Sequence, residues 1–247
     1  MAVAHRFLSN IEPFLIKNLK ISNCRHSRLR GNSVKLKSQA FAWLFYSLFI
    51  LILASCGNHQ DKNAAIPQGA TVLILGDSLS YGTGANQGED YPSLLAKTTG
   101  WQIINEGVPG DTTAGGLERL PSLLEQDQPK LLIVELGGND FIHQLPQSDT
   151  IRNLKAILAL AKAKGVKTIL MAIPEMSPLK AAFGNLSDHP LYETIAKETS
   201  TPLVADVFAD VLSDNTLKSD QIHPNAQGYA LVSKNMTTKL KLLGFVK

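Results

Sequence analysis

From Thr71 to the end of the chain, short runs rich in Leu, Ile and Val alternate with longer stretches in which apolar residues recur at spacings of three and four. The runs Thr71–Leu75, Gln102–Ile104, Lys130–Leu136, Lys167–Ile173 and Pro202–Ala205 are nearly continuous, the pattern of parallel strands covered on both faces. Helices are predicted between them. Tyr91–Thr98 follows the polar Gly88-Glu89-Asp90, and Thr113–Gln126 aligns Leu117, Leu120, Leu123 and Leu124. Ile151–Lys164 aligns Ile151, Leu154, Ile157, Leu158 and Ala161 and stops at Gly165. Leu191–Glu198 is shorter, and Pro224–Leu243 closes the chain with Pro224 in its first turn. Strand–helix alternation with right-handed crossovers predicts an α/β fold: a three-layer α/β/α sandwich around a parallel sheet of about five strands.

Before Thr71 the pattern changes. Lys35 and Lys37 precede the apolar stretch 40–53, whose length fits a signal-peptide core and falls short of the ~20 residues of a comfortable membrane span. Leu53-Ala54-Ser55-Cys56 then reads as a bacterial lipobox, with Cys56 as the acylated first residue of the mature protein. An uncleaved anchor helix is the rival reading. Both place the domain outside the cytoplasm at a membrane surface, and more than one acyl chain would make the attachment stable. Gly57, rather than aspartate, after the cysteine favours outer-membrane sorting in a periplasm-facing protein. The basic stretch before Lys35 exceeds a normal signal n-region and points to a translation start lower down, for example at Val34. Three segments are expected: residues 1–55 as leader and signal peptide, 56–69 as lipidated cysteine and polar tether, and 70–247 as one domain.

Charge follows the same division. The formal net charge is +3, but residues 1–55 carry eight Lys/Arg against the single acid Glu12, a net of +7 that leaves −4 for the remainder. The basic balance therefore belongs to the leader, and nothing in the domain points to nucleic acid. The only cysteines are Cys24 and Cys56, so a domain from residue 70 has neither thiol nor disulfide and is held by its core.

Candidate chemistry clusters where strands should end. Gly76-Asp77-Ser78-Leu79-Ser80 follows the first run, where an open α/β sheet presents ligand-binding groups. Ser78 is the candidate nucleophile and His223 the base that takes its proton. Asp220, three residues before His223, is placed to hold the other ring nitrogen. Backbone N–H groups of Ser78 and Gly110 and the side-chain amide of Asn139 are the candidate oxyanion donors, with Asp111 and Thr112 as helix N-caps beside Gly110. Asp77 is expected to accept backbone N–H bonds at a sharp turn, and Ser80 to be a plain polar neighbour. Spacing alone leaves a second Asp-x-x-His, Asp140–His143, equally open.

These segments, Leu73 to Ser80, Gly110-Asp111-Thr112, Gly116-Leu117 with Arg119-Leu120-Pro121, Val134 to Asp140, and Asp220 to Pro224, resemble the SGNH (GDSL-type) hydrolases, in particular the bacterial thioesterase I, arylesterase and lysophospholipase branch. The resemblance implies catalysis by Ser78, Gly110, Asn139 and His223 with Asp220 as the histidine's partner. It favours His223 over His143, and Pro224 supports the same choice. Gln221 stands where the family often has glycine, and Phe141–Ser148 occupies the place of its mobile substrate loop with a different sequence.

The implied activity is that of a serine esterase acting on carboxylic esters or thioesters through an acyl-enzyme, as a monomer with a small-molecule or lipid-derived ester as substrate. A carbohydrate O-deacetylase of the cell envelope and a non-catalytic envelope lipoprotein are the alternatives. No Gly-x-Ser-x-Gly elbow is present, Gly82-Thr83-Gly84 lacks the Gly-Lys-Ser/Thr of a P-loop, and no His/Cys cluster has metal-ligand spacing. Neither metal nor cofactor is expected.

Overall fold

The computed structural model describes residues 65–175 and 185–247. The expected leader 1–55, the lipobox and Cys56 lie outside the described residues. The described residues form one compact unit.

Five parallel strands form one sheet: β1 (Thr71–Gly76), β2 (Gln102–Gly107), β3 (Leu131–Glu135), β4 (Lys167–Met171) and β5 (Leu203–Val204), in the order β2-β1-β3-β4-β5. The central strands bury Leu73, Ile74, Leu75, Leu132, Ile133 and Val134 completely. β2 is an edge strand and only part-buried, despite its apolar run. The apolar runs also outlast the ladders. Leu136, Ala172 and Ile173 are buried but lie beyond the paired strands, because hydrophobic pattern reports burial and not pairing.

Helices cover both faces. One layer contains α2 (Tyr91–Thr99), α7 (Val207–Leu212) and α8 (Ala226–Leu242); the other contains α3 (Thr113–Asp127), α5 (Gln147–Ala163) and α6 (Leu191–Thr199). Three short helices escape the periodicity: α7, and α1 (Ser78–Tyr81) and α4 (Gly138–Ile142), which each follow a strand. Helix α5 begins four residues earlier than its apolar stripe suggests. Of the expected substrate loop Phe141–Ser148, only 143–146 lies between helices. Helix α8 starts at Ala226, with Asn225 as its N-cap, and Pro224 instead pairs with Lys218 in an antiparallel bridge.

The chain enters the domain at the edge where strands begin. Ile66 is buried; its N–H donates to the Phe245 carbonyl at 2.9 Å, and its carbonyl accepts from Trp101 Nε1 at 3.2 Å. Packing of the domain thus reaches into the segment 56–69 read as tether.

Candidate active site

In the order β2-β1-β3-β4-β5, strand connections diverge on either side of the β1/β3 pair, and ligands of such sheets bind in the crevice at that switch point. Ser78 follows β1 and Asn139 follows β3, so both stand at this crevice.

Ser78 is the first residue of α1, so the strand turns into a helical turn and not a loop. Asp77 is its N-cap, accepting from the Leu79 N–H at 2.9 Å, the structural role read from the sequence. The loop before α8 delivers the imidazole. Ser219 N–H donates to the His223 carbonyl, closing a tight loop between Lys218 and Pro224. Within it Asp220 Oδ1 accepts from the N–H groups of Ile222 and His223, at 2.8 and 2.9 Å, which places its Oδ2 2.7 Å from His223 Nδ1. His223 Nε2 stands 3.0 Å from Ser78 Oγ. Three side chains spread over 145 positions of sequence form one continuous line. Burial pulls the Asp220 carboxyl up, but the His223 ring and the two N–H groups together hold it below the usual carboxylate range.

The alternative pair is not assembled. Asp140 is buried and accepts from Thr113 N–H, Thr113 Oγ1 and Thr150 Oγ1, while His143 caps the C-terminus of α4 and is exposed. Gln221 is exposed, as expected for a side chain with no internal role.

Gly110 takes φ +81, a left-handed conformation that favours glycine, and a Cβ there would meet no atom within 4 Å. Thr112 is the N-cap of α3, accepting from Gly115 N–H. Asp111 is not a cap: its carboxylate pairs with Arg119 Nε at 2.9 Å. Asn139 Nδ2 donates to the Asp111 carbonyl at 2.9 Å and to Asp77 Oδ2 at 3.1 Å, so its amide bridges the Ser78 turn and the Gly110 loop.

Ser80 is a correction. It is completely buried, with Oγ 2.6 Å from Glu135 Oε2 and 2.7 Å from the Tyr91 hydroxyl. Glu135, also fully buried, receives the Asp77 N–H at 3.4 Å, and its Oε1 has no hydrogen-bond partner among the described residues. Burial first, and the neighbouring Asp77 second, push the Glu135 carboxyl well above its ordinary range. Asp77 itself rises to about 7, chiefly by burial, against the Leu79 N–H bond and the attraction of His223, which pull it down. Sequence reading placed Glu135 and Arg119 in segments that resemble the family but gave neither a role, since one lies inside an apolar run and the other in a helix.

Apolar side chains line the cleft beside Ser78 and His223, among them Ile142, Ile173, Pro174, Leu212 and Ile222. No group of three or more His, Cys, Asp or Glu among the described residues is arranged to hold a metal ion.

Residues 74–231 match the GDSL-like lipase/acylhydrolase family. Thioesterase 1/protease 1/lysophospholipase L1 of Escherichia coli K12 is 33% identical over 214 residues, spanning 83% of this chain and 96% of that protein. Esterase TesA of Pseudomonas aeruginosa is 31% identical over 183 residues, spanning 70% of this chain and 89% of that protein. Among solved structures, psychrotrophic esterase EstA from Pseudoalteromonas sp., inhibited by monoethylphosphonate, superposes with a TM-score of 0.61 at 30% identity, covering 70% of this chain and 97% of that one.

Proposed function

Since the chain belongs to the GDSL-like lipase/acylhydrolase family and is an ester-hydrolysing enzyme of the SGNH type, we propose that it cleaves carboxylic esters or thioesters through an acyl-enzyme on Ser78. Ser78 Oγ adds to the carbonyl carbon as His223 Nε2 takes its proton, and the ionised Asp220 keeps the other proton on Nδ1. The oxyanion meets the N–H groups of Ser78 and Gly110 and the amide of Asn139. Both hydrogens of that amide already have acceptors, so Asn139 donates by releasing the longer contact, the 3.1 Å bond to Asp77. Collapse expels the alcohol or thiol, protonated by His223. A water deprotonated by the same nitrogen then frees the acid and restores the Ser78 hydroxyl.

The observation that carries this reading is the unbroken line from Ser78 Oγ through His223 to Asp220, with contacts of 3.0 and 2.7 Å. Ser78→Ala and His223→Ala should each lower kcat on p-nitrophenyl esters by roughly a thousand-fold or more, while His143→Ala keeps most activity. A fluorophosphonate probe should label the wild type and not Ser78→Ala. Substantial turnover by Ser78→Ala would overturn the mechanism.

The same proposal includes a monomer held at the periplasmic side of a bacterial envelope membrane by an acylated Cys56, acting on a lipid-derived ester. The apolar cleft walls favour acyl chains, and a relative at 33% identity carries both thioesterase and lysophospholipase in its name. Cys56→Ser should move the protein from the membrane to the soluble fraction. Across p-nitrophenyl esters of graded length, kcat/KM should rise beyond acetyl, whereas a sharp preference for acetyl would replace this substrate class with carbohydrate O-deacetylation.

A further inference from the structure

Arg119 lies outside all the strand-end segments that hold the nucleophile, the oxyanion donors and the base, yet its guanidinium grips three pieces of chain around them. Nε donates to Asp111 Oδ2 at 2.9 Å; Nη2 donates to the carbonyls of Gly76 at 3.1 Å and Glu106 at 2.8 Å. Nη1 stands 3.6 Å from Glu106 Oε2. The side chains of Arg119 and Asp111 are 22% and 11% exposed, so this is not a solvated surface pair whose geometry drifts.

Each gripped piece leads to a reacting position. The Gly76 carbonyl lies two residues before Ser78. The Glu106 carbonyl belongs to the penultimate residue of β2, which runs into the Gly110 loop. Asp111 follows Gly110 directly, and its own carbonyl is the acceptor that aims the Asn139 amide. The Asp111 carboxylate is held from its other side by the Thr112 N–H at 2.9 Å, and a Cβ at Gly115 would collide with its Oδ1. A planar fork donates to these acceptors from two of its nitrogens, Nε and Nη2, at fixed angles, which a point-charge ammonium cannot do.

We infer that Arg119 is a positioning residue of the oxyanion hole, fixing the Gly110 N–H and the Asn139 amide against the Ser78 turn through Asp111. The inference rests on the acyl-enzyme reading above. Oxyanion donors act on the transition state, whereas the apolar cleft binds the ground state, so loss of Arg119 acts on kcat with little change in KM. Arg119 and Asp111 act as one unit, so removing both costs no more than removing the arginine.

The test is steady-state kinetics on p-nitrophenyl butyrate with Arg119→Ala, Arg119→Lys, the Arg119→Ala/Asp111→Ala pair and Ser78→Ala, each checked for folding by thermal melting. Arg119→Ala should lose roughly a hundred-fold in kcat with KM held within about two-fold, the scale of one misplaced donor. Added guanidinium should restore part of that loss. Arg119→Lys should lose about ten-fold, and it carries the test if Arg119→Ala does not fold. Folded arginine variants with wild-type kcat, or losses that appear in KM, would overturn the inference while an inactive Ser78→Ala leaves the mechanism standing. An active Ser78→Ala would bring down both.

Discussion

Asp77 and Glu135 show what a buried carboxyl does one layer beneath a reacting serine. Exclusion of water pushes both carboxyls up, Asp77 to about 7 from 3.8 and Glu135 in the same direction. Their folded state binds protons that the unfolded chain releases near pH 4, so the stability they contribute is complete below that pH. It falls as pH rises through about 7. Glu135→Gln keeps the shape and removes both a titrating group and its repulsion on Asp77. In urea titrations from pH 5 to pH 8 the variant should therefore gain on the wild type as pH rises. Parallel profiles would refute this account. None of it was legible in the sequence. Ser80 looked like a plain polar neighbour of Ser78, because its partners stand 55 and 11 positions away. Glu135 was hidden in a run whose other members are all apolar. The catalytic candidates were legible for the opposite reason: Ser78, Asn139 and His223 each sit beside turn residues that mark the end of a strand or the start of a helix.

At the scale of elements, the loop that presents Asp220 and His223 depends on the cap of α8. Asn225 Oδ1 accepts from the Gly228 N–H at 3.0 Å, while Nδ2 donates to the carbonyls of Thr216 at 2.8 Å and Lys218 at 3.3 Å. One side chain thus starts the helix and ties it to the chain that enters the loop. Asn225→Ala should cost about 1–2 kcal/mol, read by denaturant unfolding, and lower kcat several-fold through loosening of His223. Asn225→Asp retains the cap and loses the two donations, so it should recover most stability but not the activity. The sequence pointed two residues early, to Pro224, because a proline at a first turn is a strong signal. The residue after it makes the cap. Helices α1, α4 and α7 were missed because four to six residues are too few to display a period. The long helices and all five strands were legible, since each presents a continuous apolar run or stripe to one core.

For the molecule as a whole, that core begins before the first strand. A chain starting at Gln60 retains the Ile66 seam with Phe245 and Trp101; one starting at Gln68 loses a buried isoleucine and two hydrogen bonds. The longer form should melt higher by roughly 2–4 kcal/mol of stability, and both should retain esterase activity if they fold, because the seam is remote from Ser78. Equal melting temperatures would place the boundary nearer Thr71.

That seam also fixes where a pull on the N-terminal arm is felt. It lies where strands start, whereas Ser78 opens at their far ends, a strand of six residues away, or about 20 Å. With an acyl group on Cys56, the nine residues 57–65 reach at most ~30 Å when fully drawn out. The leash would thus fasten at the rear of the enzyme with the mouth turned outward from the bilayer. Esters arriving from the surrounding compartment would find that mouth directly, and lipids still embedded in the anchoring leaflet would be reached only after the whole body rolls over on its arm.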